Sequence, residues 1–518
     1  MALPRLTPDE TSPAAAGTDS VLLCVYAPFG TDRVLSTYPD GQSQDLGQHP
    51  LLRNLLRVAE RGIHIAALVD RVGEETYLVE IPAGQPQRMR VTSCWKEDMA
   101  SPLTLAGFLR RAHANHPKAA VVLALEGHGA GFLPEIDRTQ MTVKNITDGG
   151  RIDWKVSGNS SPVLPEVSPM LPEVSPMLPE VSPMLPANHM PMSTWGLGDA
   201  LRRALEAGVP KIAVLHFNNC FNMSVEVLHT VAAHAEFATG YINYNFFTAG
   251  DSYPWVFDQF SRPGPHHALD LARWFADGNE RFLAAKGNHP TVGSVVPLAR
   301  MKEIAERVDD LADALLSAMR AAGAQRPAVI QRIQDAIVRA RQLDTPNGGG
   351  WELETPDELT DLRSLAIQLQ GPEFSPHPVR RTAQDLAAAL DGLWRYGARD
   401  RPWVDLSVEW NFAVKDMAMN VLLPDPLRRV RVRVHVHVER RTPVPQAAPR
   451  VQPHVIDFLK VTDWVDFLDE YHKDVKFVGL LAARIPEFPV FNARFDPPCK
   501  PAEPSKPPAP PAPPKKAA

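Results

Sequence analysis

Two residues of this chain could carry out nucleophilic chemistry together, Cys220 and His128. Cys220 follows the run "KIAVLHFNN", and His128 lies in "EGHGAGF" at 126–132. A thiol acts as a nucleophile when a base or a positive field favours the thiolate, and imidazole is the usual partner. The addition intermediate then needs N–H donors for its oxyanion. Gly129 and Gly131 allow a backbone to approach a substrate carbonyl closely. The residues after Cys220 read as the start of a helix, whose N-terminal partial charge would lower the thiol pKa. A lone cysteine is more often a small buried hydrophobe. On spacing alone, nucleophile and buried thiol both stay open.

The surrounding elements place the two residues alike. "VLLCVYAPF" (21–29), "IHIAALVD" (63–70), "AAVVLALEGHGAGF" (119–132, which breaks into a glycine loop), "KIAVLHF" (211–217) and "EFATGYINY" (236–244) are apolar, β-rich runs. "LLRNLLRVAERG" (51–62), "SPLTLAGFLRRAHANHP" (101–117), "TWGLGDALRRALEAG" (194–208) and "NMSVEVLHTVAAHA" (222–235) have helical spacing. Ser101 with Pro102 is a helix start, and "TYLVEIPAGQPQRMRV" (76–91) reads as a hairpin. Apolar strands alternating with helices predict a parallel sheet covered on both faces. Functional groups gather past the carboxyl ends of such strands. His128 and Cys220 both stand just beyond an apolar run.

A proline-rich insertion at about 138–192 interrupts the alternation. It holds the seven-residue repeat "SPVLPEVSPMLPEVSPMLPEVSPMLP" (161–186). Proline removes donors and blocks helix and inner strand, so an extended solvated loop is expected there. Residues 1–18 and the basic tail within 476–518 have disordered character. Beyond Tyr253 helical periodicity dominates, as in 268–287 and 298–323. "RRVRVRVHVHVERR" (428–441) alternates strictly and predicts a strand with one wet face, on which His435 and His437 sit beside arginines.

Composition removes several classes. A net charge of −6 argues against nucleic acid as the main partner. The four cysteines show no CxxC spacing, which argues against zinc, and so few in a chain this long do not suggest a disulfide scaffold. The N-terminus lacks the basic and apolar regions of a signal peptide, and no apolar run reaches the length of a membrane span. A cytoplasmic location is the resulting expectation.

"LALEGHGAGF" and "IAVLHFNNCFNMSVEVLHTVAAHAEFATG" resemble the two catalytic segments of the clostripain-like cysteine peptidases, of the clan of caspases, gingipains and legumain. "SPLTLAGFLRRAHANHPKAAVV", "TWGLGDALRRAL", "HPTVGSVVPLARMKEIAERVDDLADAL" and "VTDWVDFLDEYH" resemble further family units in the same order. The resemblance implies an α/β fold, a caspase-like three-layer sandwich with a mostly parallel central sheet, at 19–270. A helix-rich C-terminal extension would fill 271–475. It implies cleavage of peptide or protein substrates through a thioacyl intermediate. Cys220 would be the nucleophile and His128 the general base and acid. The backbone N–H groups of Gly129 and Cys220 would form the oxyanion hole. No cofactor is required, although calcium enters some members. Some members cut themselves between histidine and cysteine, where the insertion lies.

The chain also departs from that pattern. The family has Asp two residues before the cysteine, in the pocket that selects Arg or Lys; here Asn218 and Asn219 precede Cys220. The next strand end, which usually bears a Glu, carries Gly240, Tyr241 and Asn243. A neutral amide cannot pair with guanidinium as a carboxylate does. A weak preference for basic residues at P1 is therefore expected. The acid usually found next to His-Gly is displaced to Glu126. A non-catalytic peptide-binding relative is the alternative reading. "GHGAGF" is also similar to an esterase oxyanion loop, but the G-x-S-x-G elbow is missing.

Overall fold

The computed structural model describes residues 20–29, 33–38, 46–71, 76–95, 97–127, 129, 131–132, 192–243, 245, 248–264, 266–287, 292–341, 343, 359–374, 378–397, 403–405, 408–410, 416–423 and 456–471. His128, the repeat insertion apart from Met192, the expected strand at 428–441 and both termini lie outside them.

Strands β1 (Val21–Pro28), β2 (His64–Asp70), β5 (Ala120–Glu126), β6 (Ile212–Asn218) and β7 (Ala235–Tyr241) are the apolar runs of the sequence. They pair in parallel in the order β7-β6-β5-β1-β2. The hairpin β3 (Thr76–Ile81) and β4 (Arg90–Trp95) extends one edge antiparallel. On the other edge β8 (Val292–Pro297) runs antiparallel to β7. Strand β10 (Trp394–Gly397) completes the nine strands.

Helices cover both faces, so the central strands β1, β2, β5 and β6 are buried on both sides. Residues Leu22, Cys24 and Tyr26 of β1 point into one core, and Val21, Leu23 and Val25 into the other. The first core is closed by α2 (Pro102–Asn115), α3 (Thr194–Glu206) and α4 (Val225–Val231). The second is closed by α1 (Pro50–Ala59), α5 (Tyr253–Phe260) and α6 (Ala268–Gly287). Leu51, Leu52, Leu55 and Val58 of α1 are buried. Each such side chain contributes about 1.5–3 kcal/mol by leaving water. The expected three-layer α/β sandwich with a parallel sheet centre is therefore formed.

The helix-rich C-terminal part is also present. It contains α7 (Met301–Ala321), α8 (Arg326–Arg339), α9 (Leu362–Gln368), α10 (Pro378–Asp391), α11 (Asp457–Val461) and α12 (Trp464–Tyr471). Strand β9 (Leu359–Asp361) pairs with β13 (Asn420–Leu422), and the short strands β11 (Trp403–Asp405) and β12 (Val408–Trp410) form a hairpin. A division at residue 270 runs through α6, and β8 and β10 belong to the core sheet. Among the described residues, no helix is long and apolar enough to cross a membrane.

Candidate active site

Glu126, the last residue of β5, and Asn218, the last of β6, are directly paired in register. Positions 128 and 220 each follow such an end by two residues. Gly127 has φ +98°, a left-handed conformation that glycine adopts without strain, and it turns the chain off β5. Gly129 then packs against Cys220 so closely that a β-carbon on it would overlap the Cys220 carbonyl and lie 2.9 Å from its nitrogen. The loops after β5 and β6 thus meet backbone to backbone.

The Cys220 thiol is partly buried. Its Sγ accepts from the Asn245 N–H at 3.3 Å and donates to the Asn245 carbonyl at 3.5 Å. Burial pushes the thiol up to about 11, while the N–H groups of Asn245 and Gly129 pull it down. The expected help from a helix terminus is not realised. Helix α4 begins at Val225, capped by Ser224, so Cys220 lies in a turn ahead of the helix. The next residue, Phe221, has φ +60°, which costs a non-glycine residue about 1–3 kcal/mol. Its N–H donates to the Asn243 carbonyl at 3.0 Å.

The residues expected to line the substrate pocket are buried around this turn. Asn218, Tyr241 and Asn243 are each 0% exposed and Asn219 is 5% exposed. Asn219 Oδ1 accepts from Asn222 Nδ2 at 2.8 Å. Gly240 lies against Phe217, and its carbonyl accepts from Tyr396 OH at 2.8 Å. Asn243 Oδ1 accepts from the Val292 N–H at 2.8 Å and ties these residues to β8.

The displaced acid Glu126 lies against Asn218. Asn218 Nδ2 donates to both Glu126 oxygens at 3.0 Å. The Tyr253 hydroxyl donates to Glu126 Oε1. Burial raises Glu126 to about 7, and those two hydrogen bonds work against the rise. Asn218 Oδ1 in turn accepts from Asn245 Nδ2 at 3.2 Å. A continuous hydrogen-bonded path therefore runs Glu126–Asn218–Asn245–Cys220. Sequence reasoning missed Asn245, Tyr253 and Thr248, because they lie in the loop and helix after β7, with no apolar periodicity to place them. Thr248 Oγ1 is 3.3 Å from Asn218 Nδ2.

Among the described residues, no group of three or more Asp, Glu, His or Cys side chains could hold a metal ion, so no calcium site is assigned.

No family model matches the chain, and no curated protein matches it. The fold is similar to that of a secreted C11 cysteine protease from Bacteroides thetaiotaomicron solved with an irreversible peptide inhibitor. Identity is 12% and the TM-score 0.47, over 78% of this chain and 92% of that one. It is likewise similar to an inactive zymogen C11 protease from Parabacteroides distasonis, with the same identity, coverage and score. A clostripain from Bacteroides thetaiotaomicron matches over 45% of this chain and 85% of its own, at 13% identity and a TM-score of 0.29. These likenesses are loose and carry no residue-level correspondence.

Proposed function

We propose that this protein is a cysteine endopeptidase with Cys220 as nucleophile and His128 as general base and acid. The observation that carries the reading is the contact of Gly129, next to His128 in the chain, with the Cys220 backbone at the carboxyl edge of a parallel sheet. The described surroundings hold Cys220 as a thiol at neutral pH. A base must then remove its proton as attack begins, and His128 fills that role. Sγ bonds to the scissile carbonyl carbon, and the oxyanion is received by the N–H groups of Gly129 and Cys220. Collapse expels the amine, which takes the proton from His128. Water, deprotonated by His128, then hydrolyses the thioester and releases the acid and the thiol.

The occupied Glu126 carboxyl supports neutral or relaxed specificity at P1. Both Glu126 oxygens are occupied by Asn218, one of them also by Tyr253, and the carboxyl is 1% exposed. A guanidinium of the substrate has no open carboxylate to pair with among Glu126, Asn218 and Asn219. The insertion at 138–192 is proposed as a self-processing segment. It links β5 to β6 through α3, and those strands are hydrogen-bonded neighbours. A cut there would leave both catalytic loops in one sheet.

The test is hydrolysis of a fluorogenic peptide library by the wild type, Cys220→Ala and His128→Ala. Cleavage lost in both variants supports the dyad. Cleavage unchanged in Cys220→Ala overturns it, and no cleavage by a folded wild type favours the peptide-binding alternative.

A further inference from the structure

The turn that presents Cys220 is held from the far end of the chain. Phe221 keeps its left-handed backbone with its N–H on Asn243 and its carbonyl on the Asn420 side chain. Asn420 Nδ2 donates to Phe221 O at 2.7 Å and to Ile242 O at 2.9 Å. The Asn420 N–H donates to Met223 O at 3.0 Å, and Met223 N–H donates to Tyr241 O at 3.2 Å. Ser224 and Asn420 also form a parallel bridge. One amide thus ties the cysteine turn to the end of β7.

Asn420 is itself fixed. It is 0% exposed on β13, which pairs antiparallel with β9. Asp361 of β9 accepts the N–H groups of Ala418 and Met419 at 2.9 and 3.1 Å. The Leu422 N–H donates to Glu226 Oε1 at 2.8 Å, and Trp464 Nε1 donates to Leu422 O at 3.0 Å. The two acceptors facing Nδ2 are carbonyls, so a group without donors in this place would set oxygen against oxygen. A right-handed Phe221 would turn its carbonyl off this donor and carry Sγ off the Asn245 and Gly129 N–H groups.

We infer that Asn420 is a positioning residue for Cys220, which makes β13 part of the reactive site. This rests on Cys220 being the nucleophile of the proposed peptidase. The residue does not touch substrate; it acts through the Phe221 turn.

The experiment measures alkylation of Cys220 by iodoacetamide at neutral pH in the full chain. Peptide mapping separates Cys220 from Cys24, Cys94 and Cys499. Asn420→Asp keeps the shape and replaces the two N–H donors with at most the single O–H of a protonated acid. Thr360→Val is the control. It removes the Thr360 Oγ1 bond to Leu423 O of 2.6 Å, which destabilises the same small sheet away from the turn. Alkylation is expected to fall about ten-fold in Asn420→Asp and to stay within about two-fold in Thr360→Val. In a peptidase assay kcat falls with KM little changed. An unchanged or faster rate in folded Asn420→Asp overturns the inference. So does an equal loss in Thr360→Val, which would reduce the effect to general destabilisation. If Asn420→Asp does not fold, Asn420→Ser, which has one hydroxyl donor and no carboxyl to charge, carries the same comparison. A wild type that cleaves no peptide, but whose Cys220 alkylation still depends on Asn420, rejects the peptidase and keeps the positioning role.

Discussion

Asn218 spans both oxygens of Glu126, its Nδ2 at 3.0 Å from each, across paired ends of two parallel strands. An amide can donate to a buried carboxyl, and a second carboxylate could not. Asn218→Asp is therefore expected to force one of the two acids to hold a proton, because like charges at this distance do not both ionise. The variant should lose about 2–4 kcal/mol in urea denaturation at neutral pH. It should gain no preference for Arg or Lys in a P1 library. An order-of-magnitude gain for basic P1 residues at unchanged stability would contradict this placement of Asn218.

Glu126 should leave a signature in the pH dependence of stability. Its carboxyl is raised from 4.5 to about 7 in the folded chain, so between those values the folded state binds more protons than the unfolded. Its contribution is full below the lower value, declines as pH rises through the window and is lost above about 7. The change amounts to about 3 kcal/mol. His216 is lowered by burial to about 3 and acts in the opposite sense over an overlapping range. The informative quantity is thus the difference between wild type and Glu126→Gln. Calorimetry across pH should show the wild type losing ground to the variant up to about 7 and holding level beyond. A difference that does not vary with pH would place the Glu126 titration elsewhere.

Gly129 has no room for a side chain. Gly129→Ala would set a β-carbon into the Cys220 carbonyl, and backbone on both sides leaves no flexible group to yield. Peptidase activity should fall at least about a hundred-fold, the scale of losing an oxyanion donor. The fold should survive in circular dichroism, since the clash lies in two loops at the sheet edge. Near wild-type turnover would argue that the two loops do not meet as described.

Specificity at P1 can be read without mutation. A fluorogenic library is expected to show no dominance of Arg or Lys, because the Glu126 carboxyl, linked to Cys220 through Asn218 and Asn245, is already engaged by Asn218 and Tyr253. Cleavage after basic residues far above all others would overturn the neutral-pocket reading.

Periodicity and apolar content made the sheet legible. The strands ending at Glu126 and Asn218, and the helix started by Ser101 and Pro102, are where hydrophobic pattern and capping chemistry placed them. Three features were not legible, for physical reasons. "NMSVEVLHTV" reads as helix from its first residues, but the turn at Cys220 is bonded sideways to Asn243 and Asn420, so the helix waits until Val225. The Glu126–Asn218 pair depends on strand register, which a sequence read one strand at a time does not supply. Asn420 lies 199 residues from Phe221, beyond any local pattern.

The central claim is that Cys220 is an activated nucleophile served by His128. Intact-mass and peptide-map analysis after incubation with a thiol-reactive peptidyl probe tests it most directly. A single adduct on Cys220 is expected, absent in Cys220→Ala and formed far more slowly in His128→Ala. Labelling confined to Cys94 or Cys499, or labelling of Cys220 indifferent to His128, would contradict it.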